Sequence, residues 1–229
     1  GNTGVALALV AAAKGYRAIL VMPENASQER KKLMRAYGAE IIFTRAVDGY
    51  DAAIEEAHRR YKTHPNRYFM PDQYENPFNP QAHYDTTGEE ILKQTGGRVT
   101  HFVGGVGTGG TIMGVGQRLK EYNEKIKIYA VEPEEFPGIE GLKPMGQEYI
   151  VPEIYDESLV DGTIPVTSDE AKAMCERLAR DEGLFVGHSS GAYLKGVLEL
   201  AKEIDEGVIV TVFSDGGSRY LSTPLWERG

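Results

Sequence analysis

The sequence predicts an α/β fold made of two open lobes, each a mostly parallel sheet with helices on its faces. Three observations carry that reading. Strand-like and helix-like patterns alternate along nearly the whole chain, and such alternation builds parallel sheets with short crossovers. Glycine-rich turns recur where a strand pattern gives way to a helix pattern. This puts them at the carboxyl ends of strands, where ligands sit in sheets of this kind. A proline- and asparagine-rich loop over residues 71–80 interrupts the alternation. It marks a boundary between a smaller lobe, residues 1–80, and a larger one, residues 81–229.

Residues 3–14 read as a helix stopped by Gly15, and residues 16–22 as a buried strand. Ser27 is placed to N-cap an amphipathic run over 28–37, which Gly38 ends. A second strand follows at 39–44 and a helix at 50–61. After the 71–80 loop, a helix runs to about Thr95. A strand at 100–103 feeds a glycine loop and a helix to about Tyr122, and a strand at 126–131 ends at Glu132. Residues 133–162 are rich in proline and glycine and show no regular element. A stretch that long is usually functional or a domain seam. Thr167-Ser168-Asp169-Glu170 is a capping box opening a helix to about Asp181. Gly187-His188-Ser189-Ser190-Gly191 begins another helix over 192–203, with Ser189 as candidate N-cap. The last strand, 208–213, runs into Ser214-Asp215-Gly216-Gly217.

At 229 residues the chain can bury a substantial core in one or two domains. Its 41% hydrophobic and 26% charged content is that of an ordinary globular protein. The net charge of -9 argues against a nucleic-acid or anionic-membrane partner, since either would want a clustered basic face. The longest apolar run, residues 5–13, is too short to span a bilayer. A single cysteine excludes an intrachain disulfide framework and fits the cytoplasm. That cysteine, Cys175, shares the apolar side of its helix with Ala171, Met174 and Leu178, the place of a buried structural thiol.

The chemistry concentrates in Gly104-Gly105-Val106-Gly107-Thr108-Gly109-Gly110-Thr111. A strand that ends in glycines and turns into a helix points several backbone N–H groups at one spot. The positive end of the helix dipole lies behind them, so a phosphate is favoured there. Thr108 and Thr111 add hydroxyl donors. The spacing Gly105-x-Gly107-x-x-Gly110, with Glu132 at the end of the next strand, also matches a dinucleotide fingerprint, so an NAD-dependent oxidoreductase is a competing reading. The threonine hydroxyls suit a terminal phosphate better than a bridging pyrophosphate. No Gly-Lys-Ser/Thr is present, so the loop is not a P-loop. Gly1-Asn2-Thr3-Gly4 gathers N–H groups, a carboxamide and a hydroxyl at a helix start, which suits a carboxylate or a ring oxygen, or a simple cap. Ser189 is either an N-cap or a neutral hydrogen-bond partner for a ring nitrogen. His188 reads as structural. His58, His64, His83 and His101 are scattered without metal-ligand spacing. The acidic clusters Asp51, Glu55, Glu56 and Glu203, Asp205, Glu206 read as solvated faces.

Taken together, six motifs in order resemble the cysteine synthase (O-acetylserine sulfhydrylase) family. They are Gly1-Asn2-Thr3-Gly4, Asp72-Gln73-Tyr74-Glu75-Asn76-Pro77, Thr86-Thr87-Gly88-Glu89-Glu90-Ile91, Gly107-Thr108-Gly109-Gly110-Thr111, Ser189-Ser190-Gly191-Ala192 and Arg219-Tyr220-Leu221-Ser222-Thr223. The resemblance covers the chain end to end and displaces the dinucleotide reading. It implies the fold type II class of enzymes that use pyridoxal 5′-phosphate (PLP), with the first lobe incomplete. It also implies roles. Gly107, Thr108, Gly109, Gly110 and Thr111 would hold the PLP phosphate, Asn2 would meet the ring hydroxyl, and Ser189 would face the pyridine nitrogen. Gly1, Asn2, Thr3 and Gln73 would receive the amino-acid carboxylate. The implied reaction is a β-replacement through α-aminoacrylate, making L-cysteine from O-acetylserine or O-phosphoserine and a sulfur donor. Relatives of the same fold, cystathionine β-synthase and serine or threonine dehydratase, are the alternatives; the Arg219–Thr223 motif favours cysteine synthase. The resemblance further implies a homodimer, and a cleft able to take the C-terminal tail of serine acetyltransferase.

The sequence departs from the family at one point. The family's Schiff-base lysine, also its general base, lies upstream of the Asn-Thr-Gly loop in a Ser-x-Lys-Asp/Asn-Arg context. Nothing here matches it: Lys14, Lys93, Lys120 and Lys195 sit in helical patterns. The chain opens at Gly1-Asn2 without an initiator methionine and reads as the middle of a longer protein. No catalytic lysine is assigned. The chain alone is expected to be inactive with an incomplete core, and a lysine-less binding or regulatory partner is the reading from a different class.

Overall fold

The computed structural model describes residues 1–135, 138–145 and 149–226. Part of the element-poor 133–162 stretch therefore lies outside the described residues. The chain divides into two compact units, Gly1–Pro71 with Ser218–Gly229, and Asp72–Gly217. The division falls at Pro71 rather than Pro80, and the last residues return to the first unit instead of staying with the second.

In the first unit, α1 (Asn2–Lys14) ends as expected at Gly15, whose φ of 74° places it in the left-handed region that glycine tolerates. β1 (Ile19–Pro23) and β2 (Glu40–Thr44) pair in parallel, with Ile19 opposite Glu40. Helices α2 (Gln28–Ala36) and α3 (Gly49–Thr63) accompany them. Val5, Ala8, Met22, Ala26, Met34 and Ala39 form a small core, while Leu9 and Val10 on α1 are each 45% exposed. Ser27 occupies the N-cap position of α2, but its side chain makes no cap bond. Its Oγ accepts from Arg30 Nη1 at 3.2 Å, and Ser222 Oγ accepts the Gln28 N–H at 3.0 Å instead. The C-terminal segment thus supplies the capping oxygen of α2.

The second unit holds a four-stranded parallel sheet in the order β5–β4–β3–β6: β3 is His101–Gly105, β4 Lys127–Pro133, β5 Gly162–Val166 and β6 Ile209–Thr211. Alternate residues of the central strands enter different cores. Phe102, Ile128 and Ala130 join one cluster with Ile112, Val115 and Leu119 of α6 (Gly110–Tyr122). Val103 and Val131 join the other, with Ala192, Tyr193 and Leu200 of α8 (His188–Leu200). Strands covered on both faces in this way are the mark of a parallel sheet between helical layers. The strand order reverses at β3, whose neighbours are β4 and β6, so the carboxyl end of β3 is a topological switch point.

β5 begins at the last residue of the stretch expected to lack elements and runs on to Val166, where no strand was expected. It is a five-residue edge strand in which Gly162 and Pro165 interrupt the β-formers Thr163, Ile164 and Val166, which weakens its strand signal. The helix after the 71–80 loop begins inside that loop, as α4 (Phe78–His83), and continues through a π-helical turn, Tyr84–Gly88, into α5 (Glu89–Thr95). Helix α7 (Ser168–Asp181) opens on the expected capping box, with Thr167 and Glu170 bonded reciprocally. Helix α8 starts at His188 with Gly187 as N-cap, so Ser189 is not the cap. Among the described residues, no helix is long and apolar enough to cross a membrane.

Candidate cofactor site

β3 delivers the chain at Gly105, and α6 begins at Gly110. Gly109 caps that helix with φ 91°, which excludes most side chains. A Cβ on Gly107 would stand 2.5 Å from the Gly141 carbonyl oxygen. The Lys143 N–H donates to the Val106 carbonyl at 2.8 Å, fastening the 139–143 turn against the loop. The result is a backbone cradle at the switch point, with the first N–H groups of α6 at its base. An anion is what such a helix start stabilises.

The two threonines are held from behind by α4 and the π-helical turn. Thr108 Oγ1 accepts Asn79 Nδ2–H at 3.0 Å and the Gly110 N–H at 3.3 Å. With both lone pairs engaged, its own proton is what it offers outward. Asn79 Nδ2 also donates to the Gln73 carbonyl at 2.8 Å, tying the Gln73 loop to Thr108. Thr111 Oγ1 lies 3.1 Å from His83 Nε2, and His83 Nδ1 lies 3.0 Å from Thr87 Oγ1. Burial pushes the His83 pKa down, so the ring is neutral at pH 7, donating on one side and accepting on the other. Sequence reasoning set His83 among scattered histidines and Asn79 in a loop. The signal that could have found them is the i, i+4 spacing of Asn79, His83 and Thr87 once that loop is read as helix.

Ser189 is buried in the first turn of α8. A Cβ added to Gly141 would lie 3.8 Å from its Oγ, which places the serine behind the same 139–143 turn that supports the glycine loop. Burial raises the Tyr193 pKa, against the opposing hydrogen bonds of Ser214 and Ser189. His188 Nε2 is 3.2 Å from the Ser168 carbonyl, a structural tie between α7 and α8. Cys175 is fully buried, its thiol donating to the Gly187 carbonyl at 3.4 Å, and burial pushes its pKa up to about 12. These two side chains tie α7 to the start of α8.

In the first unit, Asn2 opens α1, and its Oδ1 accepts Arg30 Nε–H at 3.1 Å. Gly1 is the N-cap, and its carbonyl accepts the Val5 N–H at 3.3 Å; Thr3 is exposed. The structure therefore groups Gly107–Thr111 with Ser189 and Gln73 in the second unit, and Gly1, Asn2 and Thr3 in the first. Lys120 pairs with Asp161, and Lys195 with Glu170 and Glu199. Glu132 is an exposed residue within β4.

The family described as pyridoxal-phosphate dependent enzymes matches residues 1–215. Among curated proteins, a cysteine synthase of Aquifex aeolicus is 48% identical over 99% of this chain and 71% of its own length. Among solved structures, a cysteine synthase of Entamoeba histolytica superposes with a TM-score of 0.89 at 38% identity, covering 100% of this chain and 71% of that one. An O-acetylserine dependent cystathionine β-synthase of Helicobacter pylori gives 0.87 at 37% identity, covering 99% and 76%.

Proposed function

Because the chain belongs to the family of pyridoxal-phosphate dependent enzymes, we propose that it makes L-cysteine from an activated serine and a sulfur donor by β-replacement. The glycine cradle at the end of β3 carries the reading. Its build suits a phosphate ester: a Cβ at Gly107 would strike the Gly141 carbonyl of the turn that supports the loop, Gly109 needs its left-handed turn, and Thr108 has only its proton left to give. Gly107, Thr108, Gly109, Gly110 and Thr111 would hold the phosphate of PLP. When bound, PLP supplies an electron sink for the charge that builds at the substrate α-carbon as its proton leaves.

The remaining work falls to the chain's own groups. Ser189 presents a neutral hydroxyl, and a neutral partner leaves a ring nitrogen without the extra proton that an aspartate would hold there. This moderates the sink and suits loss of a good leaving group. Asn2 orients the ring by meeting its hydroxyl, while Gly1, Asn2, Thr3 and Gln73 receive the substrate carboxylate through N–H and side-chain donors. Among the described residues, Lys120 and Lys195 are committed to ion pairs, and no residue here is assigned as the Schiff-base lysine. A homodimer, a cytoplasmic location and docking of the serine acetyltransferase tail are proposed on the family resemblance.

The test uses the native polypeptide that carries this chain. Loaded with PLP, it should turn yellow, bleach with borohydride and release cysteine from O-acetylserine or O-phosphoserine plus sulfide. No colour and no cysteine from either donor overturns the reading. The similarity to the Helicobacter protein favours a second reading, in which a thiol amino acid replaces sulfide. Competition between the two nucleophiles at equal concentration separates them.

A further inference from the structure

α2 carries a cation where an amphipathic helix should bury an apolar side chain. Arg30 is 2% exposed, in a cluster that the fold builds around it. Its Nη1 donates to Ser27 Oγ at 3.2 Å, and its guanidinium carbon lies 4.4 Å from the centroid of the Tyr220 ring, itself buried. Its Nε donates to Asn2 Oδ1 at 3.1 Å. The C-terminal segment that brings Tyr220 is anchored beside it: Ser222 Oγ accepts the Gln28 N–H at 3.0 Å and donates to Glu29 Oε2 at 2.6 Å.

An arginine has five donors and no acceptor, so only the carbonyl oxygen of a carboxamide can face it. The contact therefore decides which way Asn2 points: Oδ1 turns toward Arg30 and Nδ2, with its two protons, turns away. A planar guanidinium stacked on an aromatic ring and bonded on two edges has little freedom to let go. We propose that Arg30 is a positioning residue, which fixes the Asn2 carboxamide so that Nδ2 donates to the PLP ring hydroxyl oxygen, and that Tyr220 holds Arg30 in place. The proposal rests on the assignment of Asn2 to the cofactor ring. Without Arg30 the carboxamide can flip and set a lone pair against that oxygen. The C-terminal segment thereby joins the cofactor site without touching the cofactor.

The experiment is a double-mutant cycle on the native polypeptide, read as the PLP dissociation constant by equilibrium dialysis of the apoprotein. Asn2→Ala should weaken binding by roughly tenfold or more, as loss of a hydrogen bond to a charged group does. Asn2→Asp, which keeps an acceptor for Arg30 but removes the Nδ2 donor, should match it. Arg30→Met should weaken PLP comparably when Asn2 is present and by less than about twofold in the Asn2→Ala background, as coupled neighbours do. Equal losses in both backgrounds, or none from Arg30→Met while Asn2→Ala is impaired, overturns the positioning role and leaves the Asn2 assignment standing. Unchanged PLP binding by both Asn2 variants overturns that assignment itself. Apoprotein unfolding curves accompany each variant. If Arg30→Met does not fold, Tyr220→Leu takes its place in the same cycle, with the same two outcomes.

Discussion

Thr108→Ala separates cofactor binding from stability, because the hydroxyl it removes faces two ways. Toward the protein, Oγ1 receives Asn79 Nδ2–H at 3.0 Å and the Gly110 N–H at 3.3 Å. Asn79 keeps the Gln73 carbonyl as a second acceptor at 2.8 Å, and the Gly110 contact is long. The apoprotein should therefore lose under about 1 kcal/mol, the range of a weak neutral hydrogen bond. Toward the cradle, the lost group would, on the proposed assignment, donate to a phosphate dianion, and such charge-assisted bonds contribute about 1.5–3 kcal/mol. At about 1.4 kcal/mol per tenfold, PLP affinity should fall by about 10- to 150-fold. Dialysis of the apoprotein against PLP measures the affinity, and urea unfolding of the same apoprotein measures the stability. Thr108→Ser, which restores the hydroxyl, should recover most of the affinity. If PLP binds within twofold of the parent, or if the affinity loss only mirrors a matching loss of apoprotein stability, the glycine loop is not the phosphate cradle.

Gly107→Ala sets a methyl 2.5 Å from the Gly141 carbonyl oxygen. Since both are backbone, the loop must move, and the apoprotein should lose about 1–3 kcal/mol along with most of its PLP retention; melting curves of apo and loaded protein check this. Cys175, with its thiol pushed up to about 12, should resist a thiol reagent at pH 8 in the folded protein and react at once in denaturant; rapid labelling of folded protein would contradict the burial. Asp161 supplies the pH dependence. Burial pushes its carboxyl up, but hydrogen bonds from Lys120, Lys127 and the Ile128 N–H outweigh it and hold the group at about 2, well below the usual aspartate range. A carboxyl depressed on folding stabilises above its unfolded pKa and loses that contribution as pH falls through the folded one. Asp161→Asn should therefore cost up to about 2 kcal/mol at pH 7. The difference should shrink from about pH 4 and vanish near pH 2, followed by urea unfolding at each pH.

The elements legible in the sequence were those whose signal is local. Gly15 ends α1 in its left-handed turn, Thr167 and Glu170 form their capping box, and the glycine loop stands between β3 and α6. β5 was missed because an edge strand needs no continuous apolar run: its neighbour, β4, supplies the pairing. Ser27 takes the N-cap position of α2 without making the capping bond, and Ser189 lies inside α8 rather than before it. A serine before a helix satisfies a local rule, yet Arg30 claims one hydroxyl and α8 winds a turn earlier through the other. What composition and spacing could not show is the layer behind the glycine loop and the asparagine turn. Asn79, His83 and Arg30 act on Thr108, Thr111 and Asn2 across 28 or 29 residues of chain, and only the fold brings them within hydrogen-bond reach. The motif names the groups that would touch the cofactor, while the direction in which those groups present their protons is decided by side chains that no motif contains. A threonine with both lone pairs occupied and a carboxamide pinned by a donor-only guanidinium are oriented before any ligand arrives, and on the proposed assignment that prior orientation would turn a set of hydroxyls and amides into a selective anion and ring-oxygen site.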